Sequence, residues 1–89
     1  MEKYLYAVKD LVAGEFGPIF IENNDASALR MCQEMFRKND TMRIHASDYA
    51  IYRLGLWDVT TGVITPVASN ILESPIGLFK EFLENEVSE

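Results

Sequence analysis

The run Tyr49-Ala50-Ile51-Tyr52-Arg53-Leu54-Gly55-Leu56-Trp57, with Asp58-Val59-Thr60-Thr61-Gly62 and Val63-Ile64-Thr65 behind it, constrains this chain more than any other stretch. Aromatic and branched residues in such density favour extended backbone. The Asp58-to-Gly62 stretch reads as a hairpin connection, because Gly62 is free to take the positive φ that such loops need. Val63-Ile64-Thr65 is then the returning strand, stopped by Pro66. Gly55, inside the first of these strands, predicts a bulge or a close approach of another backbone. The chain is therefore built around a sheet.

Elsewhere the pattern supplies partners for that hairpin. Tyr4-Leu5-Tyr6-Ala7-Val8 reads as a strand with two largely apolar faces, which suits a central position. Pro18 opens a second short strand, Ile19-Phe20-Ile21, after a connection punctuated by Gly14 and Gly17. Asn24 or Asp25 can cap a helix over residues 26–38. Its apolar stripe is Ala28, Leu29, Cys32, Met35 and Phe36, and Arg37 and Lys38 suit the negative end of its dipole. Residues 41–48 read as a short extended piece around Met42 and Ile44, or as a loop. Ser74 and Pro75 carry the signature of a second helix start. Ile76, Phe79 and Leu83 form its stripe, widened by Leu78 and Phe82, and its closing acids predict a frayed last turn. The expected fold is α+β, a small antiparallel sheet with two helices on one face, in the order β-β-α-β-β-α.

The 89 residues make one domain, 1–89, with 73–89 as an acidic C-terminal helix. A domain this small buries only roughly 60% of its unfolded surface, so association helps it, and a symmetric dimer is the default expectation. Hydrophobic residues at 48% and charged residues at 25% are globular values. No apolar run approaches the roughly 20 residues that span a membrane. The opening MEKYLYAVKD has no apolar signal core, so the expectation is a cytoplasmic protein. One cysteine and one histidine disfavour a disulfide and a dedicated transition-metal site, and no cofactor is expected. The net charge is −6; residues 73–89 carry −4 of it and the body −2. Such a surface repels phosphate backbones, so contact with nucleic acid requires a local basic patch.

Three ordered stretches carry a family resemblance. The first is Leu5-Tyr6-Ala7-Val8-Lys9-Asp10 with Ala13, Phe16, Pro18 and Phe20. The second is His45-Ala46-Ser47-Asp48-Tyr49. The third is Tyr52-Arg53-Leu54-Gly55-Leu56-Trp57-Asp58 with Thr61-Gly62. Together, over residues 4–66, they resemble the small nonstructural protein of the gokushovirus branch of the microviruses, tailless phages with single-stranded DNA genomes. Ala46 stands where that family usually has Pro, and Leu56 where it more often has Glu. The resemblance implies a protein made in the infected bacterial cytoplasm and absent from the mature virion. It also implies a role in single-stranded DNA synthesis or packaging, exercised through viral or host replication and packaging proteins, with single-stranded DNA as a further target. The family has no established catalytic residues, and its C-terminal region varies too much for anything to carry over to 73–89.

The residues themselves offer few sites. His45 and Asp48 are the nearest approach to a catalytic pair, with only Ser47 as a neighbouring nucleophile. His and Asp more often close turns, so a structural loop is the expectation. Cys32 on an apolar stripe reads as core. Gly14-x-x-Gly17 lacks the Lys-Ser/Thr of a phosphate loop. Arg30, Arg37, Lys38 and Arg43 form one basic cluster that Arg53 would extend, a candidate single-strand groove if aromatics flank it. Tyr4, Tyr6, Tyr49, Tyr52 and Trp57 are mostly core by expectation; those left outside suit a protein interface. The reading is a non-enzymatic interaction protein. The alternatives are a direct single-stranded DNA binder and a scaffold-like assembly aid.

Overall fold

Two long antiparallel strands carry the molecule. In the computed structural model, which describes residues 1–67 and 74–87, β1 (Glu2–Asp10) pairs with β4 (Tyr49–Asp58) from Glu2↔Asp58 to Asp10↔Tyr49. Both are apolar on two faces because both lie inside the sheet. On one side β1 is joined by β2 (Glu15–Phe16) and β3 (Phe20–Glu22); on the other β4 is joined by β5 (Ile64–Pro66) and β6 (Gly77–Leu78). All described pairings are antiparallel.

Both long strands end in the same local device. Asp10 Oδ1 accepts the amides of Val12 and Ala13, and the Gly14 amide donates to the Asp10 carbonyl. Asp58 Oδ1 likewise accepts from Thr60 and Thr61, and the Gly62 amide donates to the Asp58 carbonyl. Gly14 and Gly62 close these loops at φ of 75° and 80°, where a Cβ would be strained. The two amides hold the Asp58 carboxyl below its usual range. Its folded pKa is depressed, so its stabilising contribution is present above the ordinary carboxylate pKa and lost on acidification. Titration below about pH 4 should shift the Thr60 and Thr61 amide resonances together, and Asp58→Asn should abolish that response.

Helix α1 (Asp25–Lys38) starts where Asn24 Oδ1 accepts the Ser27 amide at 2.8 Å. Ala28, Cys32 and Phe36, four residues apart, are its buried stripe. Asn39 ends it and at once caps α2 (Asp40–Ile44), accepting the Met42 amide at 3.1 Å. Residues 41–48 are thus not extended: α2 and a 3-10 turn, Ala46–Asp48, occupy them. The cap chemistry of Asn39 outweighs the β-favouring side chains there.

The second helix also departs from expectation. Ser74 and Pro75 do not open it. Ile76 donates its amide to the Ile51 carbonyl and β6 pairs with Ala50 and Ile51, so α3 begins only at Lys80 (Lys80–Val87). The edge of β4 has backbone groups that need partners, and residues 76–78 supply them. The expected frayed end falls on Ser88, Glu89 and side chains outside the described residues.

One core lies between the sheet and the helices. Tyr6 and Ile51 from the sheet meet Ala28, Cys32 and Phe36 from α1 and Phe79 and Phe82 around the start of α3. The rings interlock edge to face: Phe36 lies 5.8 Å from Phe79 and 5.5 Å from Phe82. The fold is α+β, as the sequence pattern predicted, with more strands than the pattern resolved.

Candidate functional site

The predicted basic cluster divides in two. Arg53 sits on the helix-facing side of β4, its Nη1 3.6 Å from Asp25 Oδ1 and its guanidinium 5.1 Å from the centre of the Tyr4 ring. That places it at the N-terminal end of α1. Arg37 and Lys38 occupy the last turn of the same helix, and Arg43 on α2 lies 5.8 Å from the Phe36 ring. A 14-residue helix is about 21 Å long, so Arg53 does not extend the cluster. Arg30 is exposed on α1 beside a hollow that it shares with Gln33 and Glu81. The described cations line no single groove.

The aromatic candidates also separate. Tyr6 is fully buried, and its hydroxyl donates to Asp25 Oδ1 at 2.7 Å. Burial first, and this bond to a carboxylate second, push its pKa well up. Tyr6→Phe should remove one bond worth about 1 kcal/mol while leaving Asp25 its contact with Arg53, measurable by denaturant titration. Tyr52 is 7% exposed, with Phe16 against its ring at 5.5 Å. Neither presents a face to a partner. Tyr4, Tyr49 and Trp57 are half-buried.

His45 and Asp48 come within 3.8 Å, yet both side chains are solvent-exposed, at 57% and 39%. Their backbone does the structural work: the Asp48 amide donates to the His45 carbonyl, and the Asp48 carbonyl accepts from Leu11 at 2.7 Å. The pair closes a turn that ties α2 to the end of β1. Cys32 is buried, and burial pushes its thiol up to about 12, which keeps it protonated and inert. Among the described residues no group of three or more His, Cys, Asp or Glu could hold a metal ion, and no helix is long and apolar enough to cross a membrane.

What the structure builds instead is an apolar groove of about 410 Å³. Met31 and Met35, one turn apart on α1, form one wall, and Met42 from α2 extends it. Val8 and Tyr49 supply the floor from the sheet, and the connection through Phe16, Pro18 and Ile19 forms the opposite lip. The sequence has four methionines, and the three beyond Met1 all line this groove. Asp10 and Glu15 are the charged residues in the lining. Ile19 remains 62% exposed at the lip, whereas the Phe16 ring turns to the other face of the sheet, against Tyr52 and under the Lys9 ammonium. Such a groove lies in the size range of sites that take ligands or partner side chains.

The sequence reading missed this groove. Met35 was legible as an apolar-stripe residue, but Met42 faces the groove only because residues 40–44 are helical. The signal that was available is the i, i+4 spacing of Met31 and Met35.

Fold and groove together define a small α+β protein with an open, methionine-lined apolar site. The chain belongs to the phage ORF5 protein family, whose model matches residues 3–75. The match runs from β1 across the groove and stops before α3. No curated protein and no solved structure matches the chain.

Proposed function

We propose that this phage protein is a non-enzymatic, nonstructural accessory of a gokushovirus-type microvirus. It assists single-stranded DNA synthesis or packaging in the host cytoplasm by engaging a replication or packaging protein, and it stays out of the mature virion. The phage family supports the setting. The resemblance of residues 4–66 to the gokushovirus nonstructural protein supports the process. The observation that carries the partner-binding form is the apolar groove, with Ile19 left exposed at its lip. Exposed Ile21 and Ile64 on edge strands β3 and β5 suit a symmetric dimer.

A phage lacking this reading frame should make double-stranded replicative DNA normally and accumulate less single-stranded genome. Normal single-strand yield and normal virion titre would end the proposal. Direct DNA binding is the second reading, favoured by the juxtaposition of Arg37, Lys38 and Arg43 at one end of α1. Titration of labelled single-stranded DNA at low salt separates the two. The partner-binding form expects no saturation at tens of micromolar; tight binding that collapses with added salt would favour the DNA reading. Procapsid association without any effect on DNA would favour a scaffold-like role.

A further inference from the structure

The three methionines beyond Met1 do not sit in the centre of the core. Cys32 and Phe36, on the neighbouring stripe of α1, are fully buried, whereas Met31, Met35 and Met42 are only partly covered. Methionine is unbranched and polarizable, so a surface built from it adapts to apolar groups of different shape. The opposite lip is apolar and exposed, yet it is anchored. The Gly17 amide donates to the Val8 carbonyl at 2.8 Å, and Phe20 stacks on Tyr6 at 5.7 Å. One wall yields and the other holds, an arrangement suited to taking up side chains of a partner.

The charge at the groove selects among partners. Its charged lining residues, Asp10 and Glu15, are both acidic, and the chain as a whole carries −6. An acidic segment would meet like charge at the lip, whereas a basic one gains attraction and a faster encounter. We infer that the groove binds a positively charged amphipathic segment of a partner protein, its large apolar side chains against Met31, Met35 and Met42 and its Lys or Arg residues against Asp10 and Glu15. This deepens the partner-binding reading above and rests on it.

The probe is a short model peptide of leucine and lysine patterned as an amphipathic helix, with a leucine–glutamate counterpart of the same pattern. The readout is the methyl spectrum of protein labelled at its methionine methyl groups. Met1, 85% exposed and outside the groove, serves as the internal reference. The expected result is a saturable shift of the Met31, Met35 and Met42 methyls with Met1 unmoved. The glutamate peptide should bind at least about tenfold more weakly. Glu15→Lys, on an exposed two-residue strand, should weaken the lysine peptide by a similar factor and leave the circular dichroism unchanged. Ile19→Gln gives a second variant at an exposed position, with the same expectation.

No shift with about 1 mM peptide overturns the inference, as does an equal response to both peptides. Methyl shifts that follow protein concentration without peptide also overturn it, because a second copy of this chain would then be the occupant. Loss of single-stranded genome in the deleted phage alongside a silent groove would refute the groove and leave the accessory role standing.

Discussion

Phe36→Ala should destabilise the protein by about 3–5 kcal/mol, the cost of emptying a fully enclosed aromatic site. The ring is the point where α1 meets both Phe79 and Phe82, and Arg43 lies against it from α2. Removing it leaves a void between Phe79 in the turn before α3, Phe82 in α3 and Arg43 in α2, so the walls cannot close on it together. For 89 residues the whole folding free energy is on the order of 4–13 kcal/mol. The variant should therefore lose at least about 12 °C in melting temperature, and α3 should detach first. Phe36→Leu, which keeps most of the apolar volume, should lose much less. Calorimetry of the two variants decides the matter: a Phe36→Ala melting point within a few degrees of wild type would mean that α3 contributes little to the core.

Gly55→Ala should also destabilise, by about 1–3 kcal/mol, and here the sign is the informative part. Replacing glycine by alanine at an unstrained site usually stabilises by about 0.4–1 kcal/mol, because the unfolded chain loses freedom. At Gly55 an added Cβ would lie 2.6 Å from the Thr65 carbonyl oxygen and 3.3 Å from the Pro66 Cα. Both are backbone atoms, so no rotamer change relieves the contact and β5 must move. Adjacent Leu54 is the extra residue of a bulge, skipped between the pairs Leu5↔Gly55 and Tyr6↔Arg53. The bond from the Val67 amide to the Leu54 carbonyl, 3.0 Å, should open first. Hydrogen exchange at Val67 should accelerate in the variant while amides of β1 facing residues 49–53 stay protected. A stabilised Gly55→Ala protein would show that β5 sits further from β4 than this register requires.

The sites where sequence and structure part company share a cause. Residues 40–44 carry β-favouring side chains, yet Asn39 caps a helix there because it must also terminate α1. Ser74-Pro75 has the grammar of a helix start, yet the unpaired edge of β4 recruits residues 76–78 first. Arg53 is close in sequence to Arg43 but lies at the far end of α1, because β4 runs back along the helix. The methionine groove needs α1, α2 and several strands of the sheet to converge, and of these only α1 shows its methionine face by periodicity.

Local chemistry determined the rest. Alternation and residue type marked the two long strands; Asn24, Gly62 and the i, i+4 stripe of Ala28, Cys32 and Phe36 marked ends and faces of the elements between and beside them. Those signals act within a turn or a strand of the chain, so the sequence by itself carries them. Tertiary structure alone decided which cations stand together, which aromatics are covered, and that Met31, Met35 and Met42 line one groove. Each of those depends on how β1 and β4, some forty residues apart, set their register. Pairing at that distance is fixed by the burial of the whole core, and no local pattern records it.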